Sequence, residues 1–265
     1  MSVIDLQPEH HNTYFNCLED WSGEMAEAGE HKACWYHRYK EKGLRVKVYQ
    51  DDDGQVAGMI QYLPIEESFV EGEGLYFILC IWVHSYKEGI GKRDGRGIGT
   101  ALLEAAEEDA IALGAKGMAA WGLWLPFWMK ASWFKKHGYK KSDRDFISLL
   151  VWKPLVDVAD LSPPKWIKQK KIPSTMPDKV IVTAFINGWC PAQNLVYERT
   201  RRACEELGEQ VLFKSIDTSQ RESFEEWGIT DGVFIDGKRL SYGPPLPFEK
   251  IRAKIAKRLK RLPKS

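Results

Sequence analysis

Residues 74–114 constrain the fold more than any other stretch, because three different textures follow one another there without a break. The first is LYFILCIWV, residues 75–83, nine apolar residues with no charge. Its length and its β-branched and aromatic content fit a buried strand rather than a helix. The second is a basic, glycine-rich loop ending in Gly95-Arg96-Gly97-Ile98-Gly99. In the third, Leu102, Leu103, Ala106, Ala110 and Leu113 recur at helical spacing, with Glu104, Glu107, Glu108 and Asp109 largely on other faces. Gly114 is a natural stop for that helix.

Strand, glycine loop and helix start make an anion site. Glycines let a bulky anion approach the backbone and leave its N–H groups unobstructed. The first helical turn adds unpaired N–H donors and the positive end of the helix dipole. Lys92, Arg93 and Arg96 add charge, so a phosphate or pyrophosphate is the expected guest. A P-loop is excluded: Gly91-Lys92 is followed by Arg93, and Tyr86 stands where the first glycine belongs. A dinucleotide fingerprint is excluded by the G-x-G-x-G spacing and the mid-domain strand.

Asp94-Gly95-Arg96-Gly97-Ile98-Gly99 followed by Thr100-Ala-Leu-Leu resembles the acyl-CoA loop of the GCN5-related N-acetyltransferases, the GNAT superfamily. The family pattern is Gln/Arg-x-x-Gly-x-Gly/Ala, then a helix. Gly97 and Gly99 match, Asp94 takes the Gln/Arg place, and the link from Val83 to Arg93 is longer than the family's. The resemblance implies an α/β fold, a GNAT mixed sheet with flanking helices, and acetyl-CoA as co-substrate. It implies coenzyme contacts at Trp82, Val83, Arg96, Gly97, Ile98, Gly99 and Thr100, with Ile81 beside them. The phrase Ala131-Ser-Trp-Phe-Lys-Lys-His-Gly-Tyr resembles the second family signature, whose tyrosine protonates the departing thiolate. Phe134 holds that place here and has no hydroxyl.

An amine must lose its proton before it attacks a thioester, so a base is expected, directly or through water. The candidates are His84 at the strand end and Glu66 and Glu67 past the preceding hairpin, each also readable as an ordinary polar residue. Cys80, inside the apolar run, reads as a core residue rather than a nucleophile. Trp121, Trp124 and Trp128 gather around a strand end and suggest an aromatic wall for a flat or cationic amine.

The remaining chain fits this frame. Residues 8–42 read as two helices, and residues 44–49 and 56–63 as strands around the Asp51-Asp52-Asp53-Gly54 turn. Residues 116–124 read as a strand, the stretch after it as a short helix, and 146–152 as a closing strand. His31, Cys34 and His37 drift around a helix with no fourth ligand, so no metal is expected. A net charge of +1 argues against a nucleic-acid partner. No apolar run approaches a membrane span and the first residues lack a signal peptide's apolar core. Five scattered cysteines suit a reducing cytoplasm. The oligomeric state is left open.

The expected domains are residues 1–156, a Pro/Lys-rich linker at 157–177, and a smaller α/β domain at 178–265. In the last, strand, helix, strand, helix, hairpin and helix follow one another. With Trp189-Cys190-Pro191 opening the first helix, this order resembles thioredoxin. Gln193 replaces the second cysteine of the redox signature, and Cys204 lies about 21 Å from Cys190 along one helix. Dithiol exchange is therefore not expected. Cys190 at a helix start reads as a candidate reactive thiol or as a relic of a structural fold. The whole pairing resembles acetyltransferases with a YoaP-like C-terminal domain. The reading is an N-acetyltransferase for a small-molecule amine. Its rivals are a thiol or redox sensor acting through Cys190, and a non-catalytic acyl-CoA binder.

Overall fold

A computed structural model describes residues 2–125, 129–157 and 161–263. The elements in chain order are β1 (Ser2–Asp5), α1 (His11–Phe15), α2 (Gly23–Ala26), α3 (His31–Lys40), β2 (Arg45–Gln50), β3 (Val56–Pro64), β4 (Val70–Glu71), β5 (Leu75–Val83), α4 (Ile98–Ala112), β6 (Gly117–Leu123), α5 (Ala131–Lys136), β7 (Lys140–Asp145), β8 (Ser148–Pro154) and β9 (Lys165–Trp166). Then follow β10 (Val180–Ile186), α6 (Pro191–Leu207), β11 (Val211–Asp217), α7 (Arg221–Trp227), β12 (Gly232–Ile235), β13 (Lys238–Arg239) and α8 (Phe248–Leu259). Among the described residues no helix is long and apolar enough to cross a membrane.

The chain divides into two compact units, neither a single stretch. One holds Met1–Trp21 and His37–Ile167, the other Ser22–Tyr36 and Lys168–Ser265. The expected boundaries differ in two ways. The residues of α2 and the start of α3 pack with the second unit. There Met25 and Ala28 bury against Leu195, and the enclosed Arg199 guanidinium donates to Glu24 Oε1 at 2.7 Å and Glu27 Oε1 at 3.1 Å. Nor is the expected linker a free spacer. Lys165–Trp166 pairs with β4, with Trp166 stacked on Phe69 at 6.0 Å, and the Lys170 N–H donates to Trp227 O in the second unit. Residues 8–42 also break up more than their apolar stripe predicts. Cys17 and Leu18 take left-handed backbone at φ 56° and 64°, which ends α1.

The first unit is built on a seven-stranded sheet in the order β1-β2-β3-β5-β6-β8-β7. Every neighbouring pair is antiparallel except β5 and β6. That parallel pair is joined only from Leu75↔Gly117 to Ile78↔Ala120. Beyond it each strand stays paired on its far side, β5 to β3 and β6 to β8, so the two splay apart. One side chain spans the start of the gap: the Trp121 indole N–H donates to Leu79 O at 2.8 Å.

Helix α4 covers one face of the sheet and buries Ile98, Leu102, Leu103, Ala106 and Ala110, its apolar stripe as read from the sequence. Leu102 and Leu103 are enclosed, each worth roughly 1.5–3 kcal/mol of burial. Gly58 of β3 sets how close the first turn comes. A Cβ there would meet Ile98 Cγ2 at 2.8 Å and Leu102 Cδ1 at 3.0 Å. A short glycine surface thus seats the start of α4 against β3 beside Val83.

The second unit has a four-stranded sheet, β11-β10-β12-β13, with β10 parallel to β11 and antiparallel to β12. Central β10 is buried along its whole length. Asp236 and Gly237, at φ 46° and 72°, make the tight turn that the Asp-Gly pair foretold. Ile251 and Ile255 of α8 are buried in the core, as its stripe requires. The loop before α6 hangs on Asp231, which accepts from the Asn187 N–H at 3.1 Å and the Trp189 indole at 3.0 Å. Burial pushes this carboxyl up to about 6, against the opposing pull of those hydrogen bonds and of Arg239.

Two outcomes follow. Gly58→Val should cost about 1–3 kcal/mol by forcing α4 outward, read as a lower urea midpoint. For Asp231 the folded state holds its proton to higher pH than the unfolded chain. Stability should therefore fall by about 2 kcal/mol as pH rises from about 4 to about 6, then level off. Asp231→Asn should remove that slope in urea titrations across the range.

Candidate functional site

The splay opens into a cavity of about 440 Å³. Ile81, Trp82 and Val83 supply one wall, and Asp94, Gly95, Gly97, Ile98, Gly99 and Thr100 the loop and helix start. Met129, Lys130, Trp133 and Phe134 close the far side. The backbone of β5 faces it with a fixed phase. The His84 N–H donates to Ala57 O on β3. In a strand the main-chain groups of alternate residues point to opposite neighbours, so those of Trp82 point at β3 and those of Ile81 and Val83 point into the gap.

The long link between β5 and the glycine loop closes on itself. The Arg93 N–H donates to His84 O at 2.8 Å, so residues 85–92 form an excursion whose two ends touch. The His84 ring pins it from inside. Nδ1 lies 2.9 Å from Gly91 O and must donate, since a carbonyl only accepts. Nε2 then accepts from the Trp21 indole N–H at 3.2 Å. Chain advance from Val83 to Asp94 is consequently short. Gly95 and Gly97, at φ 75° and 77°, bend the chain into the first turn of α4. A Cβ on either would meet nothing in the protein, so the backbone turn, not crowding, calls for glycine.

The predicted coenzyme contacts Trp82, Val83, Gly97, Ile98, Gly99 and Thr100 all line this cavity. Arg96 does not; the turn at its two flanking glycines leaves it exposed. The guanidinium on the wall is Arg93, which sequence reading took only as loop charge. It is held by Asp51, Nε to Oδ2 at 3.2 Å. Burial pushes the Asp51 carboxyl up, but hydrogen bonds from the Gln55 N–H and Arg93 hold it, on balance, below its ordinary value. Ser85, Lys130 and Trp133 are further wall residues without a prior signal. Of these only Trp133 lies within a motif, the second signature that begins at Ala131.

The three base candidates are corrected by their positions. His84 is 1% exposed with both ring nitrogens engaged, so it fastens the loop instead of facing the cavity. Glu66 Oε1 accepts from the Gly74 N–H at 2.7 Å. Glu67 pairs with Lys42 Nζ at 2.9 Å. Both stand at the start of β5, roughly 27 Å along the strand from Val83. Phe134 lines the cavity, buried and without a hydroxyl. Of the proposed tryptophan wall, Trp121 bridges the splay, Trp124 is exposed with the Arg144 guanidinium 5.9 Å from its ring centre, and Trp128 lies outside the described residues. Cys80 is buried in the strand, as expected of a core residue.

In the second unit Cys190 is the N-cap of α6, followed by Pro191 in the first turn, and is buried. Cys204 is buried too, which pushes its thiol up to about 12. Neither forms a disulfide. Among the described residues no group of three or more His, Cys, Asp or Glu is arranged to hold a metal.

Residues 42–141 match the family described as Acetyltransferase (GNAT) domain, a span that contains every cavity residue named above. The match supports an acyltransferase. No curated protein matches the chain. Among solved structures, the chain is similar to a GNAT family acetyltransferase from Brucella melitensis in complex with acetyl-CoA, at 16% identity over 62% of this chain and 94% of that one, TM-score 0.41. It is also similar to a GNAT family N-acetyltransferase from Escherichia coli in complex with CoA, at 18% identity over 58% and 81%, TM-score 0.41. A third is an acetyltransferase of the GNAT family from Desulfovibrio desulfuricans, at 16% identity over 58% and 99%, TM-score 0.44.

Replacing His84 with Leu removes the pin of the 85–92 excursion and strands the Trp21 N–H and the Gly91 carbonyl. The expected cost is about 1–3 kcal/mol in urea unfolding. Trypsin should also cut faster at Lys87 and Lys92 in the native state.

Proposed function

We propose that the protein is an N-acetyltransferase that moves the acetyl group of acetyl-CoA to the amine of a small molecule. One observation carries the reading: the only stretch of β5 freed from its parallel neighbour ends at a glycine loop and helix start, within the span that matches acetyltransferase domains. The diphosphate would lie on the N–H groups of the loop and first turn of α4, where the helix dipole favours negative charge. The acyl arm would run along Ile81 and Val83, whose inward main-chain groups offer it strand-like hydrogen bonds.

In the reaction the neutral amine attacks the thioester carbonyl carbon. A C–N bond forms, the carbonyl becomes a tetrahedral oxyanion, and the C–S bond then breaks. The inward N–H groups of β5 suit that oxyanion. The amine proton leaves to water, since His84, Glu66 and Glu67 stand outside the cavity. The thiolate departs as an anion and takes its proton from solvent, since Phe134 offers none. Lys130 on the wall favours an acceptor that is not strongly cationic. The second unit reads as a thioredoxin-like, YoaP-like accessory domain, on its order β10-α6-β11-α7-β12-β13-α8.

Calorimetric titration of acetyl-CoA tests the reading. Wild-type protein should bind, and Gly97→Trp, with its fold checked by circular dichroism, should bind at least tenfold more weakly. No binding at millimolar acetyl-CoA would sink it. Turnover in an amine screen followed by thiol release should survive Cys190→Ser; its loss would instead favour a thiol function of the second unit.

A further inference from the structure

Thr100 stands in the first turn of α4 on the cavity wall, yet its hydroxyl is already engaged with a side chain from another helix. Its Oγ1 lies 3.0 Å from His137 Nε2. The other ring nitrogen, Nδ1, lies 2.9 Å from Trp133 O. A carbonyl only accepts, so Nδ1 carries a proton in every state of this arrangement. In the neutral ring Nε2 must then accept, and the Thr100 proton points at His137, away from the cavity. In the charged ring Nε2 donates instead. Thr100 then accepts from His137, and its own proton turns toward whatever fills the cavity.

We propose that His137 is a positioning residue for the diphosphate: its protonation hands the Thr100 hydroxyl to the bound anion, so that coenzyme binding takes up a proton. The inference rests on the acyl-CoA reading of the cavity and deepens it. Against the charged ring stand the positive end of α4, with Lys135 and Lys136 on its own helix and Lys130 on the wall. For it stand Glu104, one turn beyond Thr100 on the same face of α4, and the face of Trp133, 4.2 Å from ring centre to ring centre. Further along that face Glu107 is neutralised by Lys153 of β8 at 2.6 Å. Asp94 sits across the loop. A bound diphosphate reverses the repulsion from the helix start, and linkage requires the converse, that the charged ring tightens the diphosphate.

The test is calorimetry with dephospho-CoA, whose diphosphate stays fully ionised from pH 5.5 to 8. In the wild type the dissociation constant should rise about tenfold across that range, the size of one charge-assisted hydrogen bond gained or lost. His137→Phe, which keeps a ring against Trp133, should bind with a flat profile, Thr100→Val should keep only a reduced slope, and the double variant should match His137→Phe. Nitrogen NMR of the His137 ring in the wild type should show Nδ1 protonated throughout and a titration midpoint about one pH unit higher with ligand than without. A pH slope that persists in His137→Phe, or a midpoint that ligand does not move, would overturn the proposal while leaving the acyl-CoA reading intact. No binding of dephospho-CoA or acetyl-CoA at any pH would overturn both.

Discussion

One main-chain hydrogen bond, from the Arg93 N–H to His84 O, sets where the glycine turn and the start of α4 stand relative to the end of β5. Without it, the eleven residues between Val83 and Gly95 would wander, and α4 would start wherever they ended. With it, the excursion is a closed side branch, and the turn at Gly95 and Gly97 begins at the strand end. Loop-closure entropy falls only slowly with length, so a branch of this size is tolerated provided its mouth is sealed. The seal is overbuilt: a main-chain bond, the His84 ring on Gly91 O, and the Trp21 indole on the other side of that ring. The same His84 bonds Ala57 of β3, so the mouth is locked to the strand that, through Gly58, receives the start of α4.

This geometry also settles which groups can hold negative charge. The loop looks strongly basic in sequence, yet its charges are spent in different ways. Arg93 is tied to Asp51, Arg96 is exposed, and Asp94 puts a carboxylate on the wall. What remains pointed at the cavity is mostly main chain: the N–H groups of the first turn of α4 and those of Ile81 and Val83. Fixed dipoles of this kind hold an anion without side-chain ordering, and they keep their orientation when the ligand leaves.

The first unit's core was legible because its signals are local. The nine-residue apolar run, the stripe of α4 and the Asp-Gly turns each reflect one element's own periodicity, and each appears where it was read. That Gly97, Ile98, Gly99 and Thr100 share one wall was legible too, since a motif at consecutive positions needs no knowledge of distant partners. The base candidates failed for the opposite reason. His84 looked like a residue at an open strand end only while Trp21 and Gly91 were not known to meet it. Glu66 and Glu67 looked close to the site because hairpin order was read as nearness, whereas the antiparallel ladder sends them to the far end of β5. Arg93 was missed because its pairing with Asp51 spans forty-two positions.

The hardest feature to foresee was that residues 22–36 belong with a unit that begins at Lys168. Nothing in their composition marks the exchange. Its cause lies in Arg199, which a helix would normally leave in water. Here it is 5% exposed, and such a charge is tolerable inside only when carboxylates meet it. Glu24 and Glu27 are those carboxylates, and the hydrogen bond from Arg199 leads the effects that hold Glu27 below its ordinary value. Among the described residues these two carboxylates are the ones paired with the Arg199 charge, which retains the segment. Its first residue follows Trp21, whose indole donates to the His84 ring at the 85–92 excursion. The chain thus passes from the seal of one unit into the charge cluster of the other in a single peptide bond. Separating residues 168–265 from the rest would leave α2 and the start of α3 without the unit they pack in. A cut between residues 167 and 168 is consequently no clean division of the chain into its two units.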